Sequence, residues 1–301
     1  MTTAAVGQRP NKLQAWRLAV RPPTLTAAIA PVVVGTGTAI AADGFELLPM
    51  LAALFGAICL QIGANFANDL FDFKRGADTH ERLGPPRVTQ LGLLSQREII
   101  AGMWVVFGLA FLAGIYLVAV GGWPIVAVGL SSIVAALIYT GGPWPIGYHA
   151  LGDLFTFVFF GVVAVTGTHY VQAGDVSRLA WLASLPMGCT VTMILVVNNL
   201  RDIDTDRTAG KTTLAVALGR TGTRAWYLFL LAAAYVLALA TMLVDASPAV
   251  LLVLLSLPAA LPSIRAIVSD IRGPALNPIL KNTARFDLIF GVLFAIGLAL
   301  S

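Results

Sequence analysis

The sequence predicts an all-α, polytopic membrane protein, and three observations carry that expectation. Of its 301 residues, 58% are hydrophobic and only 11% charged, less than half the charged fraction usual for a soluble domain. The apolar residues gather into nine stretches near the ~20 residues that cross a bilayer. Of the 19 Lys and Arg, 18 fall in connections that share one side of those stretches, as the preference of basic residues for the cytoplasmic face requires.

Taken in order, the stretches lie at roughly 24–42, 47–67, 98–120, 123–140, 151–172, 179–199, 225–244, 248–268 and 286–300. The first follows "RPPT", where Pro22 and Pro23 suit a helix start. The preceding "MTTAAVGQRPNKLQAW" lacks an apolar core and a cleavage site, so no signal peptide is expected. Cys59 and Cys189 fall inside spans and read as buried thiols. The whole of 1–301 is expected to form one membrane domain, with an N-terminal arm over 1–22 and polar cap loops over 68–97 and 201–224.

With the N-terminus in the cytoplasm, the basic residues occupy the arm and the second-to-third, sixth-to-seventh and eighth-to-ninth connections; only Arg178 stands apart. That places the chain in a cell (inner) membrane with both polar loops cytoplasmic. No nucleic-acid partner is expected.

Those loops hold two acidic clusters set against apolar helices: "NFANDLFDFKRGAD" and "NNLRDIDTDRTAGK". Shifted by 130 positions they align as N-x-L-x-D, Asn68-Leu70-Asp72 against Asn198-Leu200-Asp202, each ending an even-numbered span. The first eight helices therefore read as two related halves of four, with the ninth added. Repeats of this kind put the functional site between the halves, and ionisable residues within a membrane protein's spans mark functional sites by default. Gln61, Asn65, Asp69 and Asp72 follow i, i+4, i+8, i+11, and Asn198, Asp202 and Asp206 follow i, i+4, i+8, so each helix carries a polar stripe. Carboxylates crowded together call for hard cations, and Mg²⁺ takes one or two per ion and completes its shell with water and phosphate oxygens. Neighbouring Lys and Arg would hold the other phosphate oxygens. The combination describes a diphosphate site, and its place at the membrane face suggests a lipid diphosphate. The competing reading, a solvated interfacial face, suits Arg97, Arg224, Arg265 and Glu98. "TAGKTT" is not a P-loop, because Thr205 stands where its first Gly is needed.

The motifs "NDLFDFKRGAD", "DIDTD" and "AGKTTLAVALGR" resemble the two aspartate-rich motifs of the UbiA superfamily of intramembrane prenyltransferases. "RPPTLTAAIAPVVVGT", "RLGPPRVTQLG" and "VVNNLRDIDTDRTAGKTTLAVALG" resemble its MenA branch, which prenylates 1,4-dihydroxy-2-naphthoate, and the likeness runs from Trp16 to the ninth helix. The resemblance implies nine helices, Mg²⁺, a polyprenyl diphosphate donor, a dihydroxynaphthoate acceptor, and a demethylmenaquinol product for menaquinone biosynthesis, formed with loss of diphosphate and CO₂. It implies that Asp69, Asp72, Asp202 and Asp206 hold the metal, and that Asn68, Asn198, Lys211 and an Arg of the 75–87 segment meet the diphosphate; Asn65, Lys74, Arg75 and Arg87 are the further candidates for binding substrate. Other branches carry a Tyr and a Lys-Arg pair between helices four and five; "YTGGPWPIGYHALGD" has Tyr139 but no Lys or Arg.

For a prenyl cation formed at this site, aromatic faces would be stabilising. Tyr139 is the expected one, with Trp144 and Phe155 to Phe160 as candidates that equally suit packing or interfacial anchoring. His149 and Asp153 are placed to orient an acceptor hydroxyl. Gly84, Pro85 and Pro86 predict a rigid turn closing over the cavity. Two rival functions are a prenyltransferase using another aromatic acceptor and a secondary transporter; transporter sites lie at the midplane rather than at the helix ends.

Overall fold

The computed structural model describes residues 10–76, 83–84 and 87–301; Pro85 and Pro86 lie outside them. Among the described residues the chain is helical throughout, with one isolated parallel bridge, His149 to Thr212. Ten helices follow in order: α1 (Lys12–Val20), α2 (Thr26–Ala41), α3 (Leu47–Lys74), α4 (Gln96–Gly121), α5 (Trp123–Ile138), α6 (Gly152–Ala173), α7 (Arg178–Thr208), α8 (Leu214–Ala240), α9 (Pro248–Val268) and α10 (Asn277–Ala299).

Each of the nine apolar stretches falls on one of α2 to α10. As membrane crossings the count is smaller than nine: seven helices are long and apolar enough, and an eighth is reached if the pair Lys12–Thr24 and Thr26–Ala41, bent by 47°, forms one span. The shortfall is α5, whose helix stops at Ile138 where the Gly141-Gly142-Pro143 turn begins.

The arm expected over 1–22 contains a helix. Asn11 and Gln14 form a capping box that starts α1, and Arg21, at φ 53°, ends it just before Pro22 and Pro23 force a single 3₁₀ turn. The polar loops are shorter than 68–97 and 201–224, because α3 stays helical to Lys74 and α7 to Thr208. After a five-residue link, Thr213 caps α8, which is broken at Gly219 (φ 67°). Ser95 and Glu98 form the capping box of α4.

Two apolar cores result. The larger joins α2 with α7, α8, α9 and α10 through residues such as Met187, Tyr227, Phe286 and Phe290; the smaller joins α1, α3 and α4 through Ala15, Phe66, Leu70, Ile99 and Phe107. Helices that find no hydrophobic drive to pair within lipid associate by close packing of small residues, and α6 and α7 do so at Gly161 and Gly188. A Cβ on Gly161 would lie 2.4 Å from the Gly188 Cα. Beside this contact α6 opens into a π-helical segment, Phe157–Val163, a distortion often found at functional sites. Between the two cores the helices leave a hollow.

Replacing Gly161 by Leu should force α6 and α7 apart and lower stability by about 1–3 kcal/mol, with Gly161→Ala milder. Thermal unfolding in detergent checks this; an unchanged midpoint in Gly161→Leu would contradict the close approach.

Candidate active site

The hollow is a cavity of about 660 Å³ lined by α2 to α7 and the connections at their polar end. Along α3 its wall runs from Ala53 to Asp72, a rise of about 28 Å at 1.5 Å per residue. Away from its polar head the wall is apolar, with Leu60, Ile133, Phe159 and Phe160 among the lining residues, and Phe155 lines it nearer the head.

The head is built from the ends of α3 and α7. The aligned residues behave alike: Asn68 and Asp72 line the cavity, as do Asn198 and Asp202, while Leu70 and Leu200 turn into the two cores. Asp206, one turn beyond Asp202, lines it too and lies within electrostatic reach of both Asp72 and Asp202. The two helices thus deliver three carboxylates to one hollow.

Each acid is answered differently. Buried Asp72 receives three donors: Arg87 Nη2 to Oδ2 at 2.9 Å, and Tyr148 Oη and Lys211 Nζ to Oδ1 at 2.8 and 3.1 Å. Asp202 is gripped by the fork of Arg201, Nε to Oδ1 at 2.7 Å and Nη2 to Oδ2 at 2.5 Å. Arg201 is 1% exposed and also donates to Asn198 Oδ1 (2.8 Å) and Asn277 Oδ1 (2.9 Å). Asn277 in turn donates to the Leu83 carbonyl at 3.0 Å. A Cβ on Gly84 would lie 2.6 Å from Arg201 Nη2, so the chain passes directly over this guanidinium. Asp206 makes no ion pair among the described residues. Asn68 Oδ1 accepts from Thr140 Oγ1 at 2.8 Å.

Tyr139, immediately after α5, lines the cavity with its hydroxyl against Gly152, where a Cβ would sit 2.8 Å away.

Several expected site residues lie elsewhere. Asp69 does not line the cavity: its carboxylate accepts from Thr89 Oγ1 and, at 3.3 Å, from the Val88 amide, so it anchors the 87–89 turn. The reason is helical geometry, because at 100° per residue Asp69 stands about 80° around α3 from the mean direction of Gln61, Asn68 and Asp72. Asn65 borders the cavity, yet its amide donates to the Val20 carbonyl (2.9 Å) and Thr24 Oγ1 (3.0 Å), closing the α1–α2 corner. Lys74 is exposed and away from the cavity, and Arg75 reaches the Gly142 carbonyl. His149 is exposed and stacks on Trp144 with centroids 4.1 Å apart. Asp153 turns toward α8, where Trp226 Nε1 donates to it at 2.9 Å. Neither His149, Trp144 nor Asp153 lines the cavity. Conversely, sequence reasoning missed Arg201, Tyr148 and Arg21, all tied to the site or its lining. Arg201 carried no signal beyond its charge and its i, i+3 spacing from Asn198, since Asn277 meets it only in the fold. Tyr148 sat in plain view beside Tyr139.

Among the described residues no three acids close into a ready-made metal cage. The donor set nevertheless fits Mg²⁺, which needs only one or two carboxylates per ion and fills the remainder with water and phosphate oxygens. Asp72, Asp202 and Asp206 are the residues placed to supply them, with the amide oxygens of Asn68 and Asn198 at the same head.

The description "UbiA prenyltransferase family" matches residues 28–275. The chain is 40% identical to the 1,4-dihydroxy-2-naphthoate octaprenyltransferase of Mycobacterium tuberculosis over 94% of this chain and 96% of that protein. It is 36% identical to the enzyme of the same name from Escherichia coli, over 98% of each. Among solved structures, its fold is similar to the apo structure of a UbiA homolog from Aeropyrum pernix K1, with a TM-score of 0.69, 18% identity, and coverage of 92% of this chain and 97% of that one. It is also similar to a UbiA homolog from Archaeoglobus fulgidus bound to DMAPP and Mg²⁺, with a TM-score of 0.66, 15% identity, and coverage of 93% and 99%.

Because Arg201 satisfies Asp202, Asn198 and Asn277 at once, Arg201→Met should cost about 3–5 kcal/mol, the range for leaving one partner of a buried pair alone. Arg201→Lys should recover only part of it, for want of the fork. Denaturant or thermal unfolding of the two variants checks the ranking; equal stability of Arg201→Lys and wild type would refute it.

Proposed function

The chain belongs to the UbiA prenyltransferase family, and on that premise we propose that it transfers a polyprenyl group from polyprenyl diphosphate to 1,4-dihydroxy-2-naphthoate. The products are diphosphate, CO₂ and a demethylmenaquinol, a step of menaquinone biosynthesis. The observation that carries this reading is that Asp72 and Asp202, from separate helices, share one cavity with Arg87 and Lys211 at the head of a long apolar hollow. A transporter would hold its acids near the midplane, whereas these stand at the ends of α3 and α7.

In this mechanism the diphosphate occupies the polar head and the isoprenoid tail the apolar depth. Mg²⁺, when bound to Asp72, Asp202 and Asp206, supplies charge neutralisation for the leaving group. Lys211 and Arg87 turn their donors to diphosphate oxygens, with Asn68 and Asn198 completing the polar wall. As the allylic C–O bond breaks, its electron pair leaves with the diphosphate, and these preorganised donors stabilise the charge that develops there. The prenyl cation left behind faces Tyr139, Phe155, Phe159 and Phe160, all of which line the cavity; aromatic faces attract such a cation. The naphthoate ring attacks it, and the carboxylate departs as CO₂, returning its bonding pair to the ring. Asp69 acts here through the 87–89 turn, holding Arg87 in place, rather than as a metal ligand. The concentration of Lys and Arg in the loops that carry the site supports a cytoplasmic orientation in a cell membrane.

Asp72→Asn and Asp202→Asn should each lower turnover about 10²–10³-fold, the usual cost of one electrostatic contact to a developing oxyanion, while the protein still inserts and folds. The assay supplies purified protein with Mg²⁺, a polyprenyl diphosphate and a panel of aromatic acceptors including the naphthoate and homogentisate. Full activity in either variant removes the shared-metal mechanism; turnover confined to another acceptor removes the naphthoate assignment alone.

A further inference from the structure

Tyr148 belongs to the short 3₁₀ turn Ile146–Tyr148 that follows Pro145. Its carbonyl accepts from the Thr212 amide at 2.9 Å, and the neighbouring His149–Thr212 bridge continues this stitch between the α5–α6 and α7–α8 connections. The side chain is equally engaged. The ammonium of Lys211 lies 4.5 Å from the ring centroid, and the guanidinium carbon of Arg75 lies 5.4 Å from it. The hydroxyl donates to Asp72 Oδ1, the oxygen that also takes Lys211. One side chain therefore touches an acid of α3 and a cation delivered from beyond α7, and it lines the cavity between them.

Lys211 needs such a seat. The Lys211 amide donates to the Asp206 carbonyl at 2.8 Å and the Thr212 amide to the Tyr148 carbonyl at 2.9 Å, so the backbone here is held. A lysine is nevertheless a point charge on a flexible four-carbon stem that a fixed backbone does not aim. The Lys211 ammonium contacts the Asp72 carboxylate and the Tyr148 ring, and Asp206 lies within electrostatic reach. A metal that takes the charge of Asp72 and Asp206 competes with both acids for the lysine and leaves the ring. The ring is then what holds the ammonium at the head of the cavity, where diphosphate oxygens arrive.

We propose that Tyr148 is a positioning residue with two separable tasks: its ring seats Lys211 for the diphosphate, and its hydroxyl orients the Asp72 carboxylate for a divalent cation. This rests on the metal–diphosphate reading above.

The two tasks come apart by substitution. Tyr148→Phe keeps the ring and removes the hydroxyl; Tyr148→Leu removes both. Full-length protein in detergent is titrated with Mn²⁺ alone, read by electron paramagnetic resonance, and with inorganic pyrophosphate at saturating Mn²⁺, read by calorimetry. Tyr148→Phe should weaken Mn²⁺ binding about tenfold, as losing the hydrogen-bond partner of a metal ligand does, and leave pyrophosphate affinity within about threefold. Tyr148→Leu should weaken pyrophosphate binding about tenfold in wild type but less than about twofold in a Lys211→Met background, because the ring acts through Lys211. Unaltered Mn²⁺ affinity in Tyr148→Phe, or an equal loss from Tyr148→Leu with and without Lys211, overturns the inference. Should Tyr148→Leu fail to fold, Tyr148→Met, which also removes the ring, takes its place in the pyrophosphate titrations with and without Lys211. Wild-type protein that binds neither Mn²⁺ nor pyrophosphate would instead remove the metal–diphosphate reading itself.

Discussion

Negative charge at the end of an apolar helix is the constraint on which the polar half of this molecule is built. An ionised carboxylate taken out of water costs several kcal/mol unless it is paired and hydrogen-bonded. Asp72 meets that cost with Arg87, Lys211 and Tyr148, and Asp202 meets it with the fork of Arg201. The partners of Asp72 come from three separate connections, whereas Arg201 adjoins Asp202 on α7 itself. Asp72 therefore fastens the 87–89 turn, the α5–α6 connection and the α7–α8 connection onto the end of α3. In the proposed reaction the same cations change partners from carboxylate to diphosphate, so the groups that neutralise the acids are the groups that hold the substrate.

Beneath that head, the helices divide into a filled half and a hollow half. On one side α7 lies among α2, α6, α8 and α10, with most of its length buried and with glycine contacts that bring backbones together. On the other, α5 buries only Ile125, and α4 exposes much of its surface. The cavity lies along that loosely filled side, with the π-helical stretch of α6 supplying part of its aromatic wall. A tightly packed half gives the acids of α7 a firm base, while the open half leaves room for a long apolar substrate.

Much of this was legible in the residues. The apolar stretches place α2 to α10, since hydrophobicity is a property each segment carries alone. The pairing of Asn68 and Asp72 with Asn198 and Asp202 was also legible, because a helix puts i and i+4 on one face whatever surrounds it. Its limit appears at Asp69, which the same counting admitted to the stripe but which the axis of α3 turns toward the 87–89 turn. The helix over Lys12–Val20 was missed because its helical signal is a capping box in a polar stretch, not an apolar run. His149 and Asp153 were expected at the acceptor, yet stacking on Trp144 and the indole N–H of Trp226 draw them away from the cavity.

By itself the sequence determined the class of molecule, the helices, the two acidic ends and the family to which they belong, since all of these follow from composition, period and motif along a single segment. Only the tertiary structure decided which acids share the cavity, which cations answer them, and that Arg201 and Tyr148 stand at the centre of the arrangement. Side chains brought together from α3, α7, α10 and the connections between helices leave no trace in the spacing of any one of them. Their meeting depends on how helices lean and cross, and that is set by packing.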